Sequence, residues 1–130
     1  MIMLDTDTCI EMLRGNRQVL NKCSQYDGMI CVSFMTVGEL FYGASNSSRP
    51  NANNSLVEEF LLTVETIESD FNIMKRFGET KSRLKGKNMM LPDADIIIAS
   101  SVLEYCDMLV TGNTKHFNRI EHLRVENWIR

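Results

Sequence analysis

A chain of 130 residues, 44% hydrophobic and 24% charged with a net charge of −3, is long enough for one packed core and too short for a catalytic domain plus a separate cap domain. Its acidity excludes a protein that grips nucleic acid by bulk positive charge, but not one whose acidic site lowers the total while basic groups elsewhere hold a backbone. No apolar run approaches the ~20 residues of a membrane span, and the first residues lack the basic flank and cleavage site of a signal peptide. The expectation is a single domain over 1–130, without a membrane segment, in the cytoplasm.

In chain order, residues 2–4 form a short apolar strand, and a helical pattern over 9–13 is stopped by Gly15. A second helix runs over 18–26. Asp27-Gly28 is a turn signal before an Ile- and Val-containing strand over 29–34, and 36–44 reads as helix. Residues 45–54, rich in Ser and Asn and holding Pro50, read as a loop. The S-x-x-E pattern of Ser55 and Glu58 then caps a helix to about 64. A longer amphipathic helix, with Phe71, Met74, Phe77 and Leu84 inward, ends near Gly86. Pro92 and Asp93 open an apolar helix to about 105, and the strands 108–111 and 123–128 close the chain. Strands alternating with helices imply an α/β fold whose central sheet is parallel and covered on both faces, with a site at the strands' carboxyl ends.

Acidic residues fall where that fold turns at one sheet edge: Asp5 after the first strand, Glu39 after the second, Asp95 at the start of the apolar helix. Asn113 follows the strand at 108–111. Carboxylates gathered this way repel and raise one another's pKa unless a divalent cation neutralises them. Each also has a plain structural reading. Asp5 can bond its own backbone in a turn, Glu39 can close a capping box with Thr36, Asp93 can cap its helix, Asp95 gains from the helix dipole, and Gly112-Asn113 can be a turn. Their common placement at one edge favours a site.

Cys9, Cys23, Cys31 and Cys106 are widely spaced with no C-x-x-C pair, and read as reduced core thiols. With only His116 and His122 present, neither beside a cysteine pair, a zinc site of nitrogen and sulfur ligands is disfavoured, so a metal here takes oxygen ligands. Residues 70–88 carry Lys75, Arg76, Lys81, Arg83, Lys85 and Lys87 against Asp70 and Glu79. A solvated helix face and a phosphate-contacting one fit this stretch equally.

Three segments resemble the ordered motifs of PIN-domain ribonucleases: Met3-Leu4-Asp5-Thr6-Asp7-Thr8-Cys9-Ile10; the stretch from Val32-Ser33-Phe34 through Glu39-Leu40-Phe41-Tyr42-Gly43-Ala44; and Pro92-Asp93-Ala94-Asp95-Ile96-Ile97-Ile98-Ala99. The nearest likeness is to the VapC-type toxins of bacterial toxin–antitoxin pairs. Val110-Thr111-Gly112-Asn113-Thr114-Lys115-His116-Phe117 and Leu123-Arg124-Val125-Glu126-Asn127-Trp128 resemble that group's ending.

The resemblance implies a PIN-like three-layer α/β/α domain with a mostly parallel sheet. It makes Asp5, Glu39 and Asp95 an acidic metal-site triad for Mg²⁺ or Mn²⁺, with Thr6 and Ser33 orienting the carboxylates or a water and Asn113 as fourth polar member. Asp7 stands where the family usually has Asn, either adding charge or replacing an amide hydrogen bond. Asn113 stands where many PIN domains have Asp. No histidine falls in a motif position to act as base, and no Ser or Cys has a base partner, so the implied nucleophile is a metal-activated water. The implied partners are an RNA substrate, commonly tRNA or ribosomal RNA, a second copy of the chain, and a small antitoxin along an apolar groove near Leu40, Phe41 and Tyr42. Residues 45–54 are a candidate RNA contact.

Two other classes share part of the pattern. Residues 2–7 also resemble the first motif of haloacid-dehalogenase-type phosphatases, with Asp5 as nucleophile. Cys9 and the apolar helix after Asp95 depart from that family. A PIN-fold binding module without catalysis would have no reason to retain a divalent site.

Overall fold

The computed structural model describes all residues, Met1–Arg130. Five strands form one sheet: β1 (Ile2–Leu4), β2 (Ile30–Ser33), β3 (Glu65–Ile67), β4 (Met108–Val110) and β5 (Val125–Glu126), in the order β3-β2-β1-β4-β5. Every pairing is parallel, with Ile2 opposite Ile30 and Met108, and Val110 opposite Glu126. Seven helices connect them: α1 (Thr6–Leu13), α2 (Arg17–Gln25), α3 (Phe34–Ser45), α4 (Pro50–Leu61), α5 (Phe71–Gly86), α6 (Asp93–Tyr105) and α7 (Thr114–Phe117).

Alternation along the strands divides the interior in two. Ile2, Leu4, Val32, Met108 and Val110 face one side and pack with Cys9, Val19, Leu40, Val57 and Phe60 from α1–α4. Met3, Cys31 and Leu109 face the other and pack with Leu84 from α5, Ile96, Ile98 and Val102 from α6, and Phe117 from α7. Burial on both faces explains why β1 and β4 read as continuous apolar runs rather than alternating ones. The layers are α/β/α. No helix is long and apolar enough to cross a membrane. All four cysteines are free, Cys9 and Cys31 fully buried and Cys23 and Cys106 partly so.

Local signals set most element starts. Asp5 accepts the Thr6 N–H and opens α1 at Thr6, three residues before its apolar run. Gly15 at φ +81° ends it, a conformation that favours glycine. Asn16 caps α2 and Asp70 caps α5. Ser33 is both the last residue of β2 and the N-cap of α3, accepting the Met35 N–H. Glu39 therefore lies well inside α3 and forms no capping box with Thr36.

Four expectations are corrected. The loop after α3 is shorter than residues 45–54, because Pro50 sits in the first turn of α4, where its missing N–H is harmless. Ser55 caps nothing there: it is mid-helix and donates to the Asn51 carbonyl. The edge strand β3 was not expected, since Glu65-Thr66-Ile67 lacks an apolar run. On α5 the buried stripe is Ile73, Thr80 and Leu84 with Phe77 half-buried, while Phe71 is 83% exposed and Met74 is also exposed.

Candidate active site

The carboxyl ends of β1 and β4 meet the helix starts at one sheet edge. Asp5, 7% exposed, places Oδ1 on the Thr6 N–H (2.8 Å), and its Oδ2 accepts the Thr111 hydroxyl (2.8 Å). Burial above all, then the charges of Asp7 and Asp95, push its carboxyl up to about 7, against the lowering effect of those two hydrogen bonds. Asp95, in the first turn of α6, is raised by burial and by Glu39, and His116 opposes this. The charges of Asp7 and Asp95 thus reach Asp5, and those of Glu39 and Asp7 reach Asp95.

The other expected residues take distinct places. Thr6 donates its hydroxyl to Glu39 Oε1 (2.7 Å) and lies 3.0 Å from the Thr36 hydroxyl, which can donate to it in turn. Asp7 accepts the Gly112 N–H on Oδ2 (2.9 Å) and the Thr8 hydroxyl on Oδ1 (3.2 Å). It therefore supplies the acceptor an Asn would supply and also adds charge beside Asp5. Ser33 caps α3 and touches none of the acids. Asp93 is the first residue of α6 rather than its cap, a position held by Pro92, and it pairs with Lys81 at 2.9 Å.

Asn113 donates its backbone N–H to Thr111 Oγ1 (3.0 Å), and its carboxamide nitrogen lies 2.8 Å from His116 Nδ1. That histidine, on the single turn α7, also has Nδ1 3.8 Å from Asp95 Oδ2, beyond hydrogen-bond range. His116 belongs to the site although its sequence position did not mark it. The signal was its spacing three residues after Asn113, which one helical turn converts into contact.

Gly112 is tightly enclosed: a Cβ there would lie 2.8 Å from Asp7 Oδ2 and 2.9 Å from Ile129 Cδ1. Gly112→Ala is expected to destabilise the fold by about 1–3 kcal/mol, because the Asp7 carboxylate cannot retreat and keep its bond to the Gly112 N–H. A denaturant melt unchanged from wild type would show that Asp7 moves freely.

An all-oxygen group of partly buried, mutually repelling carboxylates fits a hard divalent cation. No three His, Cys, Asp or Glu side chains converge closely enough to enclose an ion. The expected triad is therefore an open edge rather than a closed cage.

Beside Glu39, a groove of about 320 Å³ runs between α1, α3 and α4, lined by Ile10, Leu13, Leu40, Leu56 and Val57, with Arg14 at its side. Of the three groove candidates, Leu40 lines it, Phe41 packs against the core and Tyr42 is 71% exposed outside it. Of the basic residues over 70–88, Arg76 bridges to Glu104 (2.7 Å), Lys81 to Asp93 (2.9 Å) and Lys87, the C-cap of α5, to Glu121 (2.7 Å), with Arg83 4.0 Å from Glu121, while Lys75 and Lys85 form no ion pair.

Residues 2–123 match the PIN domain. Ribonuclease VapC2 of Haemophilus influenzae Rd is 34% identical over 128 residues, covering 98% of this chain and 97% of that protein. The tRNA(fMet)-specific endonuclease VapC of Shigella flexneri is 29% identical, covering 97% and 96%. Among solved structures, VapBC2 of Rickettsia felis bound to a promoter DNA fragment superposes with a TM-score of 0.91 at 32% identity, covering 98% of this chain and 99% of that one. DNA-bound VapBC of Salmonella typhimurium gives 0.92 at 30%, covering 98% and 97%. With its parallel sheet in the order β3-β2-β1-β4-β5 and its acids at the carboxyl edge, the chain belongs to the PIN-domain family, among the VapC ribonucleases.

Proposed function

We propose that this protein is a divalent-metal-dependent endoribonuclease, the toxin of a toxin–antitoxin pair, and that it hydrolyses phosphodiester bonds of RNA at the Asp5–Glu39–Asp95 edge. The observation that carries this reading is the placement of Asp5, buried at the carboxyl end of β1 with its oxygens on the Thr6 N–H and the Thr111 hydroxyl, on a PIN fold. Asp5 and Asp95 would hold Mg²⁺ or Mn²⁺ directly. Bound there, the ion supplies charge neutralisation at the phosphate and a water acidic enough to attack near neutral pH. Glu39, with Oε1 taken by Thr6, has Oε2 left to accept a hydrogen bond from the attacking water and orient it. Thr111 fixes Asp5, and Asp7 holds the Gly112 N–H, so the loop carrying Asn113 is set against the acids.

The kinship with a tRNA(fMet)-specific endonuclease supports tRNA as the substrate class. Solved VapBC relatives support a small antitoxin as partner, and the groove beside Glu39 is the surface it would occupy. A second copy of the chain is the other proposed partner, with Leu62 (88% exposed) and Phe71 as apolar surface for it. A phosphatase reading is disfavoured because Cys9 and the apolar helix that follows Asp95 depart from that family's pattern.

The test is incubation of the purified protein with a total tRNA pool and Mg²⁺ or Mn²⁺. Discrete fragments are expected, and EDTA is expected to prevent them. Intact tRNA in the presence of either metal, or equal cleavage with EDTA, would defeat the proposal.

A further inference from the structure

We infer that His116 is a positioning residue for this site, holding the Asn113 carboxamide so that its oxygen, and not its NH₂, is available to the cation's water shell. The inference rests on the reading of the acidic edge as a cation site. Its structural basis is the 2.8 Å contact between Asn113 Nδ2 and His116 Nδ1.

A carboxamide is nearly symmetric in shape but not in chemistry: one arm accepts hydrogen bonds and the other donates. Waters around a divalent cation turn their oxygens to the ion and their hydrogens outward, so a neighbour beyond the first shell must accept. In the free protein the carboxylates Asp5, Asp7, Glu39 and Asp95 pull the other way, because they attract an NH₂ group. Something must keep that NH₂ turned aside.

The imidazole does this. With the Asn113 NH₂ as donor, Nδ1 is the acceptor and the proton of the neutral imidazole is on Nε2. Asp95 Oδ2 stands 3.8 Å from the same Nδ1, too far to compete for it as a hydrogen-bond partner. The rest of the unit is rigid. The Asn113 backbone N–H is tied to Thr111 Oγ1, the Thr111 hydroxyl to Asp5, and Phe117, next to His116, is fully buried in the second core. The carboxamide itself has one side-chain partner, His116 Nδ1. An aspartate at this position, common in the wider family, would have two equivalent oxygens and need no such partner.

The test compares wild type, His116→Phe, which keeps a ring and loses the acceptor, and His116→Gln, whose carbonyl can accept the same N–H. Each is made with Asn113 and with Asn113→Asp. Mn²⁺ affinity of the RNA-free proteins is read by calorimetry, and the metal-free Asn113 NH₂ signals by NMR. His116→Phe is expected to weaken Mn²⁺ binding about tenfold, the scale of lost outer-shell partners, and to shift the Asn113 NH₂ signals, with thermal melts unchanged. His116→Gln should restore most of the affinity. In the Asn113→Asp background, His116→Phe should cost nothing.

An equal loss in both backgrounds would mean that His116 acts on the ion itself, and would overturn the inference. Wild-type affinity in His116→Phe would overturn it too. Should the wild type bind no Mn²⁺, the cation reading falls, and the NMR signals still decide the orientation: unchanged Asn113 NH₂ signals in His116→Phe would refute it.

Discussion

Asp5→Asn is expected to remove RNA cleavage to background, a loss of roughly a thousandfold or about 4 kcal/mol of transition-state stabilisation, while making the metal-free protein more stable above neutral pH. The two effects share one cause. In the folded protein the Asp5 carboxyl titrates at about 7, raised by burial and by Asp7 and Asp95. Its unfolded value is about 3.9. A carboxyl raised on folding contributes stability that is complete below the unfolded value and is lost as pH rises to the folded one. The metal-free wild type should therefore lose roughly 2–3 kcal/mol between pH 5 and pH 8 from this group. Asn cannot ionise and should abolish that part of the slope. It can keep the bond from the Thr6 N–H through its own carbonyl oxygen. Melts at both pH values, with and without Mg²⁺, check this, and Mg²⁺ should raise the wild-type melt at pH 8 far more than the mutant's. A mutant clearly less stable than wild type at pH 8 would make Asp5 a structural turn residue.

Cleavage should leave a 5′-phosphate and a 3′-hydroxyl. Nucleases that use the RNA's own 2′-hydroxyl leave a cyclic or 2′/3′-phosphate and depend on a general base such as histidine. The one histidine at this site has Nδ1 committed to Asn113. A water attacking in line needs no 2′-hydroxyl, so a substrate with a single 2′-deoxy sugar at the scissile position should be cut at close to the normal rate once bound. End-group analysis of the fragments reads the result. A 2′,3′-cyclic phosphate would rule out the water mechanism while leaving the fold untouched.

The sheet edge is legible because apolar runs end abruptly in polar residues: Leu4 in Asp5, and Met108-Leu109-Val110 in Thr111-Gly112-Asn113. Burial on both faces made those strands readable as blocks. The start of α3 was misplaced because Phe34 and Met35 suit a strand as well as a helix, and what decides between them is the Ser33 hydroxyl on the Met35 N–H. The phase of α5 was misread for a related reason. Phe77 and Leu84 lie on both candidate stripes, and the choice between Phe71 and Ile73 depends on which turn meets the sheet, a tertiary fact. Edge strand β3 has three residues, one exposed and two half-buried, too little contrast to show a period. His116 lies within the 110–117 segment, but its spacing carries no signal of contact with the acids; the turn of α7 brings it onto Asn113.

The bond from Thr111 to Asp5 links residues 106 positions apart, joining the end of β1, the middle strand of the sheet, to the end of its neighbour β4. Such long-range closure is slow and late in folding. While the chain is being synthesised, Asp5 and Glu39 emerge long before Asp95 and Thr111, so the proposed acidic edge is assembled only after β4 is made. The helices α1, α3 and α4, which line the groove beside Glu39, all lie before residue 62, so the groove's chain segment is complete well before that edge is.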